Sequence, residues 1–185
     1  MKNSIRFFVG FSLIILIMCY GCGVPSSEKE MKEAQQAMDN AKNLFADELA
    51  PTDWNEAIQS WEQAQGAVKE GKPAKTYFLR AKNRFEKTAK IAKAKGEDLS
   101  KDISSIQLTI SERFSKVQSA FERGNVNAKI QKQIKPMLAE VEEGKATVDS
   151  LVSQGSFVKA HTLARELQNK IYNAELILAG KKPVS

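Results

Sequence analysis

From residue 27 onward, apolar side chains return every third or fourth position and nowhere settle into strand-like alternation. That period is the mark of amphipathic helices, so the expected fold is all-α. Met31, Ala34, Met38, Ala41, Phe45 and Leu49 step along a first helix expected over residues 27–49. Pro51 is expected to end it and Thr52 to cap the next. Trp54, Ile58, Trp61, Ala64 and Val68 form a second stripe, which Gly71 closes. Pro73 is expected at an early helical position, where a missing N–H costs nothing. Tyr77, Phe78, Ala81, Phe85, Ala89 and Ala92 then form a third stripe, antiparallel to the second.

A fourth helix is expected from near Asp98. Leu99, Ile103, Ile106, Ile110, Phe114, Val117 and Phe121 give it the cleanest apolar face in the chain. Gly124 is expected to end it and Asn127 to cap its successor. Ile130 and Ile134 share one face up to Pro136, which is expected to break or kink the helix; Leu138, Val141, Val148 and Val152 resume it. Gly155-Ser156 makes a turn with a cap, and Phe157, Leu163, Leu167, Ile171, Ala174 and Leu178 line the last helix. The sum is about six helices in antiparallel hairpins over residues 28–180, with a frayed tail at 181–185.

Two segments, 34–95 and 119–179, echo one another. Phe45, Leu49 and Pro51 recur as Ile130, Ile134 and Pro136 at an offset of 85; Gly71, Lys75 and Leu79 recur as Gly155, Lys159 and Leu163 at 84. Heptad-like helices match themselves at any multiple of seven, but that does not account for the matched Pro and Gly. Internal duplication and coincidence both fit.

The N-terminus breaks the pattern. Lys2 and Arg6 precede an apolar run from Phe7 to Tyr20, then Gly21, Cys22 and Gly23. A short basic segment, a short apolar core and a small residue before the cut read as a secretory signal peptide. An uncleaved signal anchor is the alternative, and the run falls short of the ~20 residues that a span needs. Cys19-Tyr20-Gly21-Cys22 resembles the lipobox of bacterial lipoproteins, with Gly21 as the small residue before the cut. The resemblance implies removal of residues 1–21 and acylation of Cys22 with two or three fatty-acyl chains, palmitate among them. Val24-Pro25-Ser26-Ser27 completes a short linker, 22–27. Gly23 lacks the acidic residue that marks inner-membrane retention in some Gram-negative lipoproteins, which hints at the periplasmic face of the outer membrane.

Cleavage there leaves 185 − 21 = 164 residues, enough for one domain with its own core. Both cysteines, Cys19 and Cys22, lie in the signal region. The mature body is therefore expected to hold no disulfide, thiolate nucleophile or cysteine metal site. The chain carries +6, or +4 without Lys2 and Arg6. That is too mild for an obligate nucleic-acid binder, and no nucleic-acid partner is expected.

AMDNAKNLFADELAPTDWNEAIQSWEQAQGAVKEGKPAKTYFLRAKNRFEKTAKIAKA, running from Ala37, resembles an uncharacterised helical-hairpin family of bacterial envelope lipoproteins over residues 34–95. Ala50-Pro51, Gly71 and the spaced alanines carry the likeness. More loosely, GSFVKAHTLARELQNKI is similar to a tetratricopeptide repeat, although the units here exceed its ~34 residues. That likeness implies a scaffold or adaptor for an envelope protein partner.

Residues 72–95 are strongly basic. Lys75, Arg80, Arg84, Lys87, Lys90 and Lys93, with Lys72, Lys82 and Lys95, stand against Glu86 alone. Such a face suits an anionic polymer or lipid: peptidoglycan, lipopolysaccharide or phospholipid. A second account is ion pairing with the acidic neighbour, which carries Asp47, Glu48, Asp53, Glu56, Glu62 and Glu70. Trp54 and Trp61, seven residues apart, could stack on a sugar, but they continue a core stripe. His161, the one histidine, reads as a helix-edge residue, and Glu140, Glu142 and Glu143 as a solvated face. No triad, phosphate loop or metal cluster is placed by motif, so neither catalysis nor a cofactor is expected.

Overall fold

The computed structural model describes residues 27–123 and 126–183; the expected signal segment and Cys22 lie outside them. Among the described residues there is no strand, which matches the all-α expectation. The described residues form six helices: α1 (Glu28–Asn43), α2 (Ala46–Leu49), α3 (Pro51–Lys69), α4 (Lys75–Arg123), α5 (Ala128–Ser153) and α6 (Phe157–Leu178).

The organising element is α4. Its 49 residues fuse the expected third and fourth helices into one, about 70 Å long at 1.5 Å per residue. Gly96 and the acids after it look like a stop signal. Instead Gly96 is buried, with Leu49 and Phe157 packed over the position a Cβ would take. Burial from both sides outweighs glycine's helix penalty of about 1 kcal/mol.

Each half of α4 belongs to a different three-helix lobe. In lobe 1, Trp61 meets Phe78 and Trp54 meets Phe85 at centroid separations of 5.4 and 5.5 Å. As one index falls the other rises, so α3 runs antiparallel to α4. Both tryptophans thus serve the core, as their stripe suggested. Glu30 reaches Lys75 and Glu33 reaches Lys82, so α1 runs parallel to α4. In lobe 2, Gln107 bonds Asp149 on antiparallel α5, and Asp102 and Arg113 reach His161 and Glu175 on parallel α6. Both lobes therefore follow the same up-down-up path around one shared helix.

Four expected boundaries differ. The first helix does not reach Leu49 unbroken: Phe45 takes a left-handed conformation, φ 56°, between α1 and α2. For a bulky residue that costs on the order of 1–3 kcal/mol, and tertiary contact must hold it. Pro51 opens α3 at its first helical position, with Ala50 rather than Thr52 at the cap. Pro73 stays outside α4, which begins two residues later. Pro136 does not break α5, which continues past it to Ser153. The proline is exposed, so the Lys132 carbonyl it leaves unbonded can turn to water. Asn127 does cap α5, accepting from Ile130 N–H at 3.0 Å. Ser156 sits at the start of α6 without a side-chain capping bond.

Candidate functional site

The six singled-out cations of α4 do not stay together. Lys75 pairs with Glu30 at 3.3 Å, Arg84 with Glu56 at 2.8 Å and Lys87 with Asp53 at 3.1 Å. Lys82 adds a 2.8 Å pair with Glu33. Asp53 and Glu56 come from the acidic neighbour, as the pairing account required. Glu30 and Glu33 come from α1, whose acids no local pattern places beside α4. Lys82 holds the Glu33 carboxyl below its ordinary range, and Glu33 raises the lysine in turn. Arg80, Lys90 and Lys93 remain exposed and make no ion pair with a described residue.

Between the lobes lies a seam. Gly155, φ 74°, ends α5, and the ring of Phe45 occupies the space a Cβ there would need. This contact explains both unusual conformations: the glycine allows close approach, and the phenylalanine turns left-handed to deliver its ring. Beside it, Phe157 packs against both cores. A groove of about 420 Å³ opens here, lined by Glu48, Leu49, Asp98, Leu99, Asp102 and Val158.

Asp102 ties that groove to α6. One oxygen, Oδ2, accepts from His161 Nε2 at 2.7 Å and from Arg165 Nη2 at 3.2 Å. The His161 bond, followed by the Arg165 charge, holds the Asp102 carboxyl below its ordinary range. The three groups clamp α4 to α6 by charge and hydrogen bonding. His161 is thus a helix-edge residue with a partner 59 positions away, beyond any local motif. Among the described residues, no group of three or more potential ligands is placed to hold a metal ion.

Residues 29–102 match the family described as Domain of unknown function (DUF4398). The matched stretch encloses the 34–95 segment singled out above. It contains nearly all of lobe 1 and stops at Asp102, where α4 enters lobe 2. No curated protein and no solved structure matches the chain. Within the described residues, no helix is long and apolar enough to cross a membrane.

Proposed function

We propose that this protein is a membrane-anchored envelope lipoprotein that acts as a helical scaffold for protein partners, in the manner of helical-repeat adaptors. The observation that carries the reading is the unbroken α4. Because α1 runs parallel to α4 from Glu30 beside Lys75, the chain enters the folded body at one end of a long helix. The last helix finishes at the other end, with Glu175 beside Arg113. A lipid on Cys22 would then hold one end of a rod at the bilayer and project lobe 2 away from it. One acyl chain binds only reversibly, whereas two or more hold firmly. A linker of a few residues would also confine lobe 1 to a thin layer at the surface, raising its effective concentration against membrane-bound partners.

A second reading keeps the basic helix 72–95 as a contact for anionic polymer or lipid. Arg80, Lys90 and Lys93, exposed and without acidic partners among the described residues, favour it.

The test is purification from solubilised envelopes, with mass measurement of the N-terminus. A lipid-modified Cys22 and a stoichiometric protein partner support the scaffold. Co-purifying glycan or lipid without protein favours the second reading, and an unprocessed Met1 species in membranes rejects the anchor.

A further inference from the structure

The end of lobe 2 farthest from α1 gathers cations from three chain segments. Lys116 and Arg123 come from the last turns of α4 and Lys129, Lys132 and Lys135 from the start of α5; Lys181 and Lys182 follow α6. The pairings across the lobe bring these segments to one end. Gln107 lies beside Asp149 and Arg113 beside Glu175, so the C-terminal ends of α4 and α6 meet the N-terminal start of α5. A backbone bond from Lys181 N–H to the Leu176 carbonyl, 2.8 Å, fixes the tail against the end of α6. All seven side chains are exposed, and none pairs with an acid among the described residues.

Helix stability accounts for only part of this. Arg123, Lys181 and Lys182 sit where the C-terminal ends of α4 and α6 favour positive charge. The three lysines of α5 sit in its first eight residues; Lys129 lies in the first turn, where the same dipole disfavours it, and no acid occupies that turn. Across residues 116–123 and 128–135 Glu122 is the one carboxylate, and Glu112 lies one turn before Lys116. In lobe 1, Lys75, Lys82, Arg84 and Lys87 are bridged to acids on neighbouring helices; here no such bridge forms among the described residues.

We propose that this end of lobe 2 is a docking surface for an anionic glycan, a flexible polysaccharide with carboxylate or phosphate groups along its length. Charge complementarity selects a polyanion. Among the described residues, the exposed aliphatic side chains Leu79, Leu108 and Val158 lie elsewhere, so no aliphatic patch at this end is placed to enter a bilayer. Tyr172, the exposed aromatic on the adjoining stretch of α6, is covered by the Arg113 guanidinium 5.3 Å from its ring centroid, and six of the seven cations are lysines, point charges rather than bidentate forks. The surface does not depend on lipidation of Cys22.

The test uses the full chain in non-ionic detergent, titrated with polygalacturonate, phosphatidylglycerol vesicles and double-stranded DNA. Wild type should bind polygalacturonate most tightly, weakening steeply with salt. The Lys129→Glu/Lys132→Glu/Lys135→Glu variant should bind it at least tenfold more weakly with an unchanged thermal melt. Lys90→Glu/Lys93→Glu, on the lobe 1 face, should change it less than twofold. Preference for vesicles or DNA, an effect confined to the Lys90/Lys93 variant, or no binding by wild type would each overturn the proposal.

Discussion

Lobes 1 and 2 trace the same path with different chemistry inside. Lobe 1 is closed by alanines: Ala34, Ala41, Ala57, Ala64, Ala81 and Ala92 are buried, and two Phe–Trp layers fill what they leave open. Lobe 2 is filled by β-branched residues, including Ile103, Ile110, Ile134, Ile171, Val141 and Val148. Alanine lets helices approach closely and costs little side-chain entropy, but contributes little apolar area. Lobe 1 therefore rests more heavily on a few aromatic rings, while lobe 2 spreads its stabilisation over many stiff side chains. Both lobes bridge their helices with ion pairs, Lys82–Glu33 and Arg84–Glu56 in one and Arg113–Glu175 and Arg165–Asp102 in the other, but the far end of lobe 2 gathers seven cations with no such bridge among the described residues.

The sharpest way to break this contrast is at Phe85. Phe85→Ala should cost about 3–5 kcal/mol in denaturant unfolding, against about 0.5–1.5 kcal/mol for Ile110→Val in lobe 2. A loss below about 1 kcal/mol at Phe85 would refute the dependence of lobe 1 on its rings. Two buried helical glycines come next, with opposite signs. A Cβ on Gly144 would lie 2.5 Å from Leu167 Cδ2, so the leucine must move, and Gly144→Ala should destabilise by about 1 kcal/mol. On Gly96 it would lie 3.4 Å from Leu49 Cδ1, ordinary contact. Gly96→Ala should then stabilise by about 0.5–1 kcal/mol through helix propensity, as thermal melts would show.

The smallest effect concerns Asp102. Its folded carboxyl is held below its ordinary range, so the stabilisation is present above the unfolded value near pH 4. It is lost as pH falls through the folded value. Melting temperatures of wild type and Asp102→Asn should therefore differ at pH 7 and converge on acidification. A difference that persists unchanged at pH 2.5 would count against the clamp.

Periodicity made the faces of the helices legible, because burial in a bundle is written in three- and four-residue steps. Every large residue of the Leu99-to-Phe121 stripe packs into a core. Breaks were harder to read. Gly96 and Pro136 look like stops to a local rule, yet Leu49 and Phe157 cover one and solvent accommodates the other. Phe45, with nothing local to mark a turn, is a break because Gly155 awaits its ring 110 positions later. The basic helix was legible as charge but not as geometry: which lysines find acids depends on the register of α1 against α4. The Asp102–His161–Arg165 clamp and the cationic tip are assembled from distant segments, and no single stretch announces either.

The shared helix also acts as a shaft that sets phase. One residue inserted near Gly96 would turn lobe 2 by 100° about the α4 axis and advance it 1.5 Å. Seven would bring it back to within about 20°. The number of residues between the two cores thus fixes the azimuth at which lobe 2 presents its lysines relative to lobe 1. Phe45 seated on Gly155 is the key that keeps the shaft from slipping.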